Sequence, residues 1–506
     1  MASDNIIETS FPNSHLLRMH KEFYQDQNIG SAWGENMSTF FSTNNNFIAE
    51  RYKEMLVPLI EQAELPVNII ELGAGQGRFA FQLMRFLEQH FLANVRFDYI
   101  LSDISPNSLQ AWKKHPKMQT FIDKGMLDFA IFDLNNREGV ILDSGIALSK
   151  KLDNCCNIVI SNYALSDLAG DLFNVQDGQL FECLLRYDKS LESVSAQELL
   201  KALKEAEIQF RLNPIDSDYY PEADINEVLR YYRDNFNKAT FDIPYDVIRT
   251  FDFFKQYSAE FYWFITDEAH SQPNYFKNRN PRLHRLSTGL FSNEINLHAV
   301  QKYILNHQFD VVSRTAPDPV FDTYILVAQD SARKDFLSTA IEQFNSNEFL
   351  QIYHGIESQA DIEPGTLLAF ISLSRFDPGI VQKFRNQLLQ LSGKKKAFYR
   401  NSLRQSLIKI WECYFDIGEK YDLAYDLGRM FRRLGEYPLA IECFSYSIYK
   451  YGNYPASCYN LGRCYQSVQN HQQAAEQLQI AHDLRPQHKN TITALNRSLN
   501  FLKGYI

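Results

Sequence analysis

The residues with the most chemical content lie in Glu71-Leu72-Gly73-Ala74-Gly75-Gln76-Gly77, where three glycines alternate behind an acidic side chain. A glycine-rich turn between an apolar run and a helical pattern lets the backbone pass close beneath a ligand. Dinucleotide fingerprints space their glycines as GxGxxG, and Arg78 stands where the third glycine of that pattern belongs. Nor does the turn read as a phosphate-binding GxxxxGK[ST]. A pyrophosphate calls for bare backbone amides at a helix N-terminus, whereas an acid just ahead of the turn suits a cation. S-adenosyl-L-methionine has an ammonium, a carboxylate and a sulfonium, and no phosphate. In that reading Glu71 holds the ammonium, and Gly73, Ala74, Gly75 and Gly77 run beneath the amino-acid part.

Two more acids follow at the ends of strand-like runs. "RFDYILSD" ends in Asp103, which with Ile104 beside it is expected to take the ribose hydroxyls. "LDFAIFDL" brings Phe132 to pack on the adenine and Asp133 to accept from its amino group. Successive parallel strands gather such residues along one sheet edge. A fourth run, "NIVISNYAL", leads into "SNYALSDL", where Asn162, Tyr163 and Asp167 are the candidate catalytic residues and Ser166 lies behind them. Asn162 is also expected to touch the cofactor, its competing reading being a helix cap. Methyl transfer is an in-line displacement, so positioning supplies most of the acceleration without a strong base. The seven cysteines contain no CxxC pair and no zinc-ligand spacing with histidine, which predicts buried free thiols and no metal site.

The elements that must position these groups alternate between strand and helix, which predicts a parallel sheet with crossover helices. After a fifth strand in "AEFYWFITDEA" and a helix in "NEINLHAVQKYILNH" come "FDVVSRT" and "FDTYILVA". No helix fits between that last pair, so the final strand should be antiparallel. The expected fold is α/β, a Rossmann-like seven-stranded sheet of the methyltransferase kind in residues 46–330, preceded by an N-terminal segment, 1–45. About 95 residues separate the fourth and fifth strands, far more than a crossover needs. This insertion, about 168–258, is expected to form a helical substrate lid: a hairpin turning at Asp177-Gly178, then helices near Ser195–Leu212, Glu222–Lys238 and Pro244–Glu260.

Residues 331–506 read as all α. Within about 421–488, "DLGRMFRRLGEYPLAIECFSYSIYKY" aligns with "NLGRCYQSVQNHQQAAEQLQIAHDLRP" at an offset of 34 residues. Leu427-Gly428 falls on Leu461-Gly462, Ala440 on Ala474 and Phe444 on Leu478, the tetratricopeptide pattern. Such repeats are expected to recruit a protein partner. At 506 residues the chain needs more than one core. Its net charge of −10, with no basic run beyond Gly393–Arg400, argues against nucleic acid as the main partner. No apolar run is long enough to span a bilayer, and the N-terminus has no targeting pattern, so a cytoplasmic location is expected. The oligomeric state is left open.

The blocks "IIELGAGQGRFAFQLMRFL" and "SNYALSDLAGDLFNVQDGQLFECLL" resemble the MidA-type methyltransferases, which include the mitochondrial complex I assembly arginine methyltransferase and bacterial relatives. The resemblance implies an adenosylmethionine-dependent enzyme acting on a protein side chain, arginine among the options. Asn162 matches the family's Asn, but Tyr163 stands where its Glu would be, Ser166 where its Asp would be, and Ala169 where its Pro would be. A guanidinium acceptor calls for paired carboxylates, so a small-molecule acceptor, or an inactive fold serving as an interaction scaffold, stay as alternatives.

Overall fold

The computed structural model of the chain describes residues 6–26, 43–92, 97–168, 170–193, 209–282, 284–285, 291–292, 294–314, 322–328, 332–359, 361–393 and 397–504. They form two compact units, the first built mainly from Ile48–Phe349 and the second mainly from Leu350–Ile506.

In chain order, the strands of the first unit longer than two residues are β1 (Ile6–Thr9), β2 (Val67–Leu72), β3 (Phe97–Asp103), β4 (Leu127–Ile131), β5 (Cys156–Asn162) and β6 (Asp171–Gln176). They continue as β7 (Gln179–Asp188), β8 (Gln209–Ile215), β9 (Lys238–Ile243), β10 (Glu260–Asp267), β11 (Phe309–Arg314) and β12 (Asp322–Ala328). The helices used below are α1 (Asn46–Gln62), α2 (Arg78–Phe91), α3 (Pro106–Lys114), α4 (Ala223–Asn235), α5 (Tyr245–Tyr257) and α6 (Leu297–Leu305).

Seven strands make the central sheet in the order β11-β12-β10-β5-β2-β3-β4. β4, β3, β2, β5 and β10 run parallel, while β12 is antiparallel to both β10 and β11. All six residues of β2 are buried, as a strand covered on both faces requires. The chain leaves β2 toward β3 and β4, then returns to β5 and β10 on the other side. The crevice at that reversal, above the carboxyl ends of β2 and β5, is where an open α/β sheet offers a ligand site.

The insertion is less helical than its sequence suggests. β6 and β7 form the expected hairpin, but β8 and β9 extend it into a second, antiparallel sheet, β1-β7-β6-β9, with β8 also on β7. Of the first expected helix, residues 195–208 lie outside the described residues, and Gln209–Leu212 belong to β8. The second stops at Asn235 because "KATFDI" (Lys238–Ile243) alternates and pairs with β6. Part of the N-terminal segment joins the same sheet. Ile6–Thr9 pair with Thr9 opposite Leu185, and Phe11, Leu16 and Leu17 pack on Leu185 and Tyr187. One apolar core unites the two sheets, running from Ile70 and Val159 through Phe254 to Phe173, Val175 and Phe241.

In the second unit α7 (Leu423–Leu434) and α8 (Tyr437–Tyr451) form a helical hairpin, repeated by α9 (Pro455–Ser467) and α10 (His471–Leu484), with α11 (Lys489–Leu502) following. Close backbone approach sets the packing. A Cβ on Gly428 would meet the Phe444 ring at 2.8 Å, and one on Gly462 would meet Leu478 at 2.6 Å. Ala440 and Ala474, one per hairpin, are fully buried. All seven cysteines are free and buried. Among the described residues no helix is long and apolar enough to cross a membrane, and no cluster of metal-ligating side chains occurs.

Candidate functional site

The glycine turn joins β2 to α2 at the carboxyl edge of the central sheet. Gly73, Gly75 and Gly77 all have positive φ, at 62°, 52° and 72°. Two of them are also sterically fixed. A Cβ on Gly73 would lie 2.6 Å from Cβ of Ala164, and one on Gly77 would lie 2.6 Å from the Trp112 indole nitrogen. The turn is tied to β3 as well: Ala74 N donates to Ser102 O at 2.9 Å, and Gly75 N donates to Asp103 Oδ2 at 2.8 Å. The other Asp103 oxygen accepts from Ser105 N at 2.9 Å. Asp103 thus sets the height of the turn while keeping lone pairs for a ligand.

Glu71 is buried, and its Oε2 accepts from the Tyr99 hydroxyl at 2.5 Å. Burial pushes its carboxyl up to about 8 against that hydrogen bond, with the Asp103 charge adding to the rise. Asp103 is raised too, by burial and then by Asp167, against the N–H groups of Ser105 and Gly75.

The segment after β5 is held by a residue that sequence reasoning passed over. Asp267, the fully buried end of β10, accepts at Oδ2 from the backbone N–H of Ala164 at 3.0 Å, Leu165 at 2.9 Å and Ser166 at 3.4 Å. Its Oδ1 accepts from Glu268 N at 2.9 Å. Burial raises its carboxyl to about 7, and Asp167 adds to the rise. Tyr163 N donates to Thr266 O at 2.8 Å, and Tyr163 has a φ of 53°, a conformation rare outside glycine. The signal for Asp267 was present: it ends a parallel strand, as Asp103 does and Glu71 nearly does.

Asn162 is oriented from the opposite direction. Tyr52, fully buried on α1, donates to Asn162 Oδ1 at 2.6 Å and shares a hydrogen bond with Thr266 Oγ1 at 2.7 Å. The amide oxygen of Asn162 is therefore engaged by Tyr52. What Asn162 retains is Nδ2, a buried donor with no partner among the described residues. No local pattern in α1 marks Tyr52, since the contact joins residues far apart in the chain.

Phe132 and Asp133, the residues expected at the adenine, both have partners within the protein. β4 stops at Ile131, and the Phe132 ring turns into the core against Phe253 and Phe254, with centroids 6.0 and 6.2 Å away. The Asp133 carboxylate accepts from Asn135 N at 2.9 Å, capping a turn. Beside Asp103 the apolar groups at the edge are instead its register partner Ile131, 48% exposed, and the half-buried Ile104.

Glu71, Asp103, Asp167, Asp267 and Glu268 thus form one field. Asp103 acts on Glu71, Asp167 acts on Asp103 and Asp267, and the Tyr163 hydroxyl is raised by burial and by Glu268, Asp167 and Asp267. Like charges gathered in a partly desolvated edge favour a cationic ligand. A cradle that a Cβ would fill and a buried unpartnered amide donor fit the amino-acid end of S-adenosylmethionine, with its ammonium and carboxylate.

No protein-family model matches the chain, and neither does any curated protein. Among solved structures it is similar to an uncharacterized COG1565 superfamily protein from Burkholderia thailandensis, at 13% identity and a TM-score of 0.39, over 76% of this chain and 85% of that one. It is also similar to a COG1565 superfamily member from the same organism, a candidate methyl transferase bound to S-adenosyl-homocysteine. There the identity is 12% and the TM-score 0.44, over 76% and 86% of the two chains.

Proposed function

We propose that this chain is an S-adenosylmethionine-dependent methyltransferase. The observation that carries the reading is the coupling of the glycine turn to Asp103 through Gly75 N, at 2.8 Å, within an edge whose surrounding side chains are acidic. When bound, the cofactor would supply an electrophilic methyl group on a sulfonium. In this reading Glu71 attracts the ammonium, Asp103 the ribose hydroxyls, and Ile104 and Ile131 flank the base. Asn162 Nδ2 donates to an oxygen of the cofactor or the acceptor, and the Asp267-held backbone keeps Tyr163 and Asp167 at the mouth of the site. The acceptor in this proposal is a protein side chain, delivered by a partner that docks on the tetratricopeptide-like hairpins of the second unit.

The test is calorimetric titration of the purified chain with S-adenosylmethionine and S-adenosylhomocysteine, alongside Gly75→Arg and Asp103→Ala. Binding to the wild type that both substitutions abolish is the expected result. A folded wild type that binds neither ligand at millimolar concentration overturns the reading.

A further inference from the structure

Apart from the glycine turn, a cleft opens between β9 and the segment from Tyr275 to Arg282, with Gly170, Asp242, Tyr275, Arg279 and Glu294 in its lining. Asp242 is half-buried, and its carboxylate makes no ion pair among the described residues. Burial raises it to about 7, with the charges of Glu294 and Asp171 adding to the rise. Arg279 is likewise half-buried and makes no ion pair among the described residues; its guanidinium carbon lies 3.3 Å from the centroid of the Tyr275 ring.

Glu294 is different, because its charge is already engaged. It meets His270 Nε2 at 2.9 Å and the Tyr275 hydroxyl, and Arg282 Nη2 lies 4.0 Å away. The cleft therefore presents a carboxyl group held by the backbone N–H groups of Asp242 and Asn296, and a guanidinium stacked on Tyr275, neither of which makes an ion pair with the other. Holding either charge partly desolvated and unpaired is unfavourable, and a ligand carrying both opposite charges relieves both. Access to Asp242 is kept by Gly170, since a Cβ there would come within 2.8 Å of Asp242 Oδ2.

We propose that this cleft is a second small-molecule site, taking a zwitterion of the α-amino-acid type with its cationic end on Asp242 and its carboxylate on Arg279. The site does not depend on the methyltransferase reading.

The experiment titrates the full chain with the twenty common L-amino acids, alone and with saturating S-adenosylmethionine, alongside Asp242→Asn and Arg279→Gln. At least one amino acid is expected to bind the wild type and to lose about tenfold or more in affinity in each variant. Its carboxamide should bind as weakly to the wild type as the parent does to Arg279→Gln. Arg279 is half-exposed, so that variant tests the site even if Asp242→Asn fails to fold. Absence of amino-acid binding to the folded wild type at millimolar concentration, or binding indifferent to Arg279→Gln, overturns the proposal. So does loss of S-adenosylmethionine binding in Arg279→Gln, which would assign the cleft to the cofactor. Failure of the wild type to bind S-adenosylmethionine counts only against the methyltransferase reading.

Discussion

The carboxylate of Asp267 and the backbone N–H of Leu165 meet at 2.9 Å, joining the end of the fifth parallel strand to the loop that leaves the fourth. Ala164, the residue before Leu165, touches the glycine turn at Gly73, so this one carboxylate orders the loop against that turn.

Asp267→Ala leaves the N–H groups of Ala164 and Leu165 without their acceptor. The expected cost is about 2–4 kcal/mol of unfolding free energy, read by urea titration. Asp267→Asn keeps one acceptor oxygen and should lose less. Equal stability of all three proteins would contradict the anchoring role.

Tyr52→Phe removes one hydroxyl from a packed ring, so the fold should lose only about 1 kcal/mol. The Asn162 amide, no longer fixed at Oδ1, should then weaken S-adenosylmethionine binding several-fold by calorimetry. An unchanged affinity would separate Tyr52 from the site.

Gly77→Ala places a methyl group against Trp112 at a φ of 72°. The two penalties together should cost about 2–4 kcal/mol. Adding Trp112→Phe relieves the collision and leaves the backbone strain, so the double variant should recover part of that loss. Urea unfolding of the three proteins measures both components.

Burial raises Glu71 from 4.5 to about 8 and Asp267 from 3.8 to about 7. The native state holds protons there that the unfolded chain has already released. Their contribution to stability is complete below the ordinary carboxylate range and is lost as pH rises through about 7 and 8. Melting temperatures of wild type and Glu71→Gln should therefore diverge between about pH 5 and about pH 8, the wild type losing more. A cationic ligand favours the ionised carboxylates, so its binding near neutrality should release protons. Calorimetry in two buffers of different ionisation enthalpy detects that release, and parallel melting curves for the two proteins would refute the assignment to Glu71.

Much of the architecture was legible because it depends on short-range pattern. Buried parallel strands read as apolar runs, as in Val67–Leu72, and the missing helix between the last two strands forced the antiparallel hairpin. The second sheet was harder to read. β1 and β8 pair with β7 across long stretches of chain, and their half-exposed alternation resembles that of a polar segment or an amphipathic helix.

By itself the sequence determined the glycine spacing, the acids Glu71 and Asp103 close to the ends of β2 and β3, and the 34-residue offset between the helical hairpins, because each is a matter of residue type at fixed separation. The tertiary structure alone decided which atoms of those residues are engaged. Tyr52 takes the oxygen of Asn162 and leaves its nitrogen, Asp267 takes the backbone after β5, and Phe132 gives way to Ile131 at the edge beside Asp103. The reason is that hydrogen-bond direction and side-chain facing follow from strand register and helix docking, which bring together residues with no common signal along the chain.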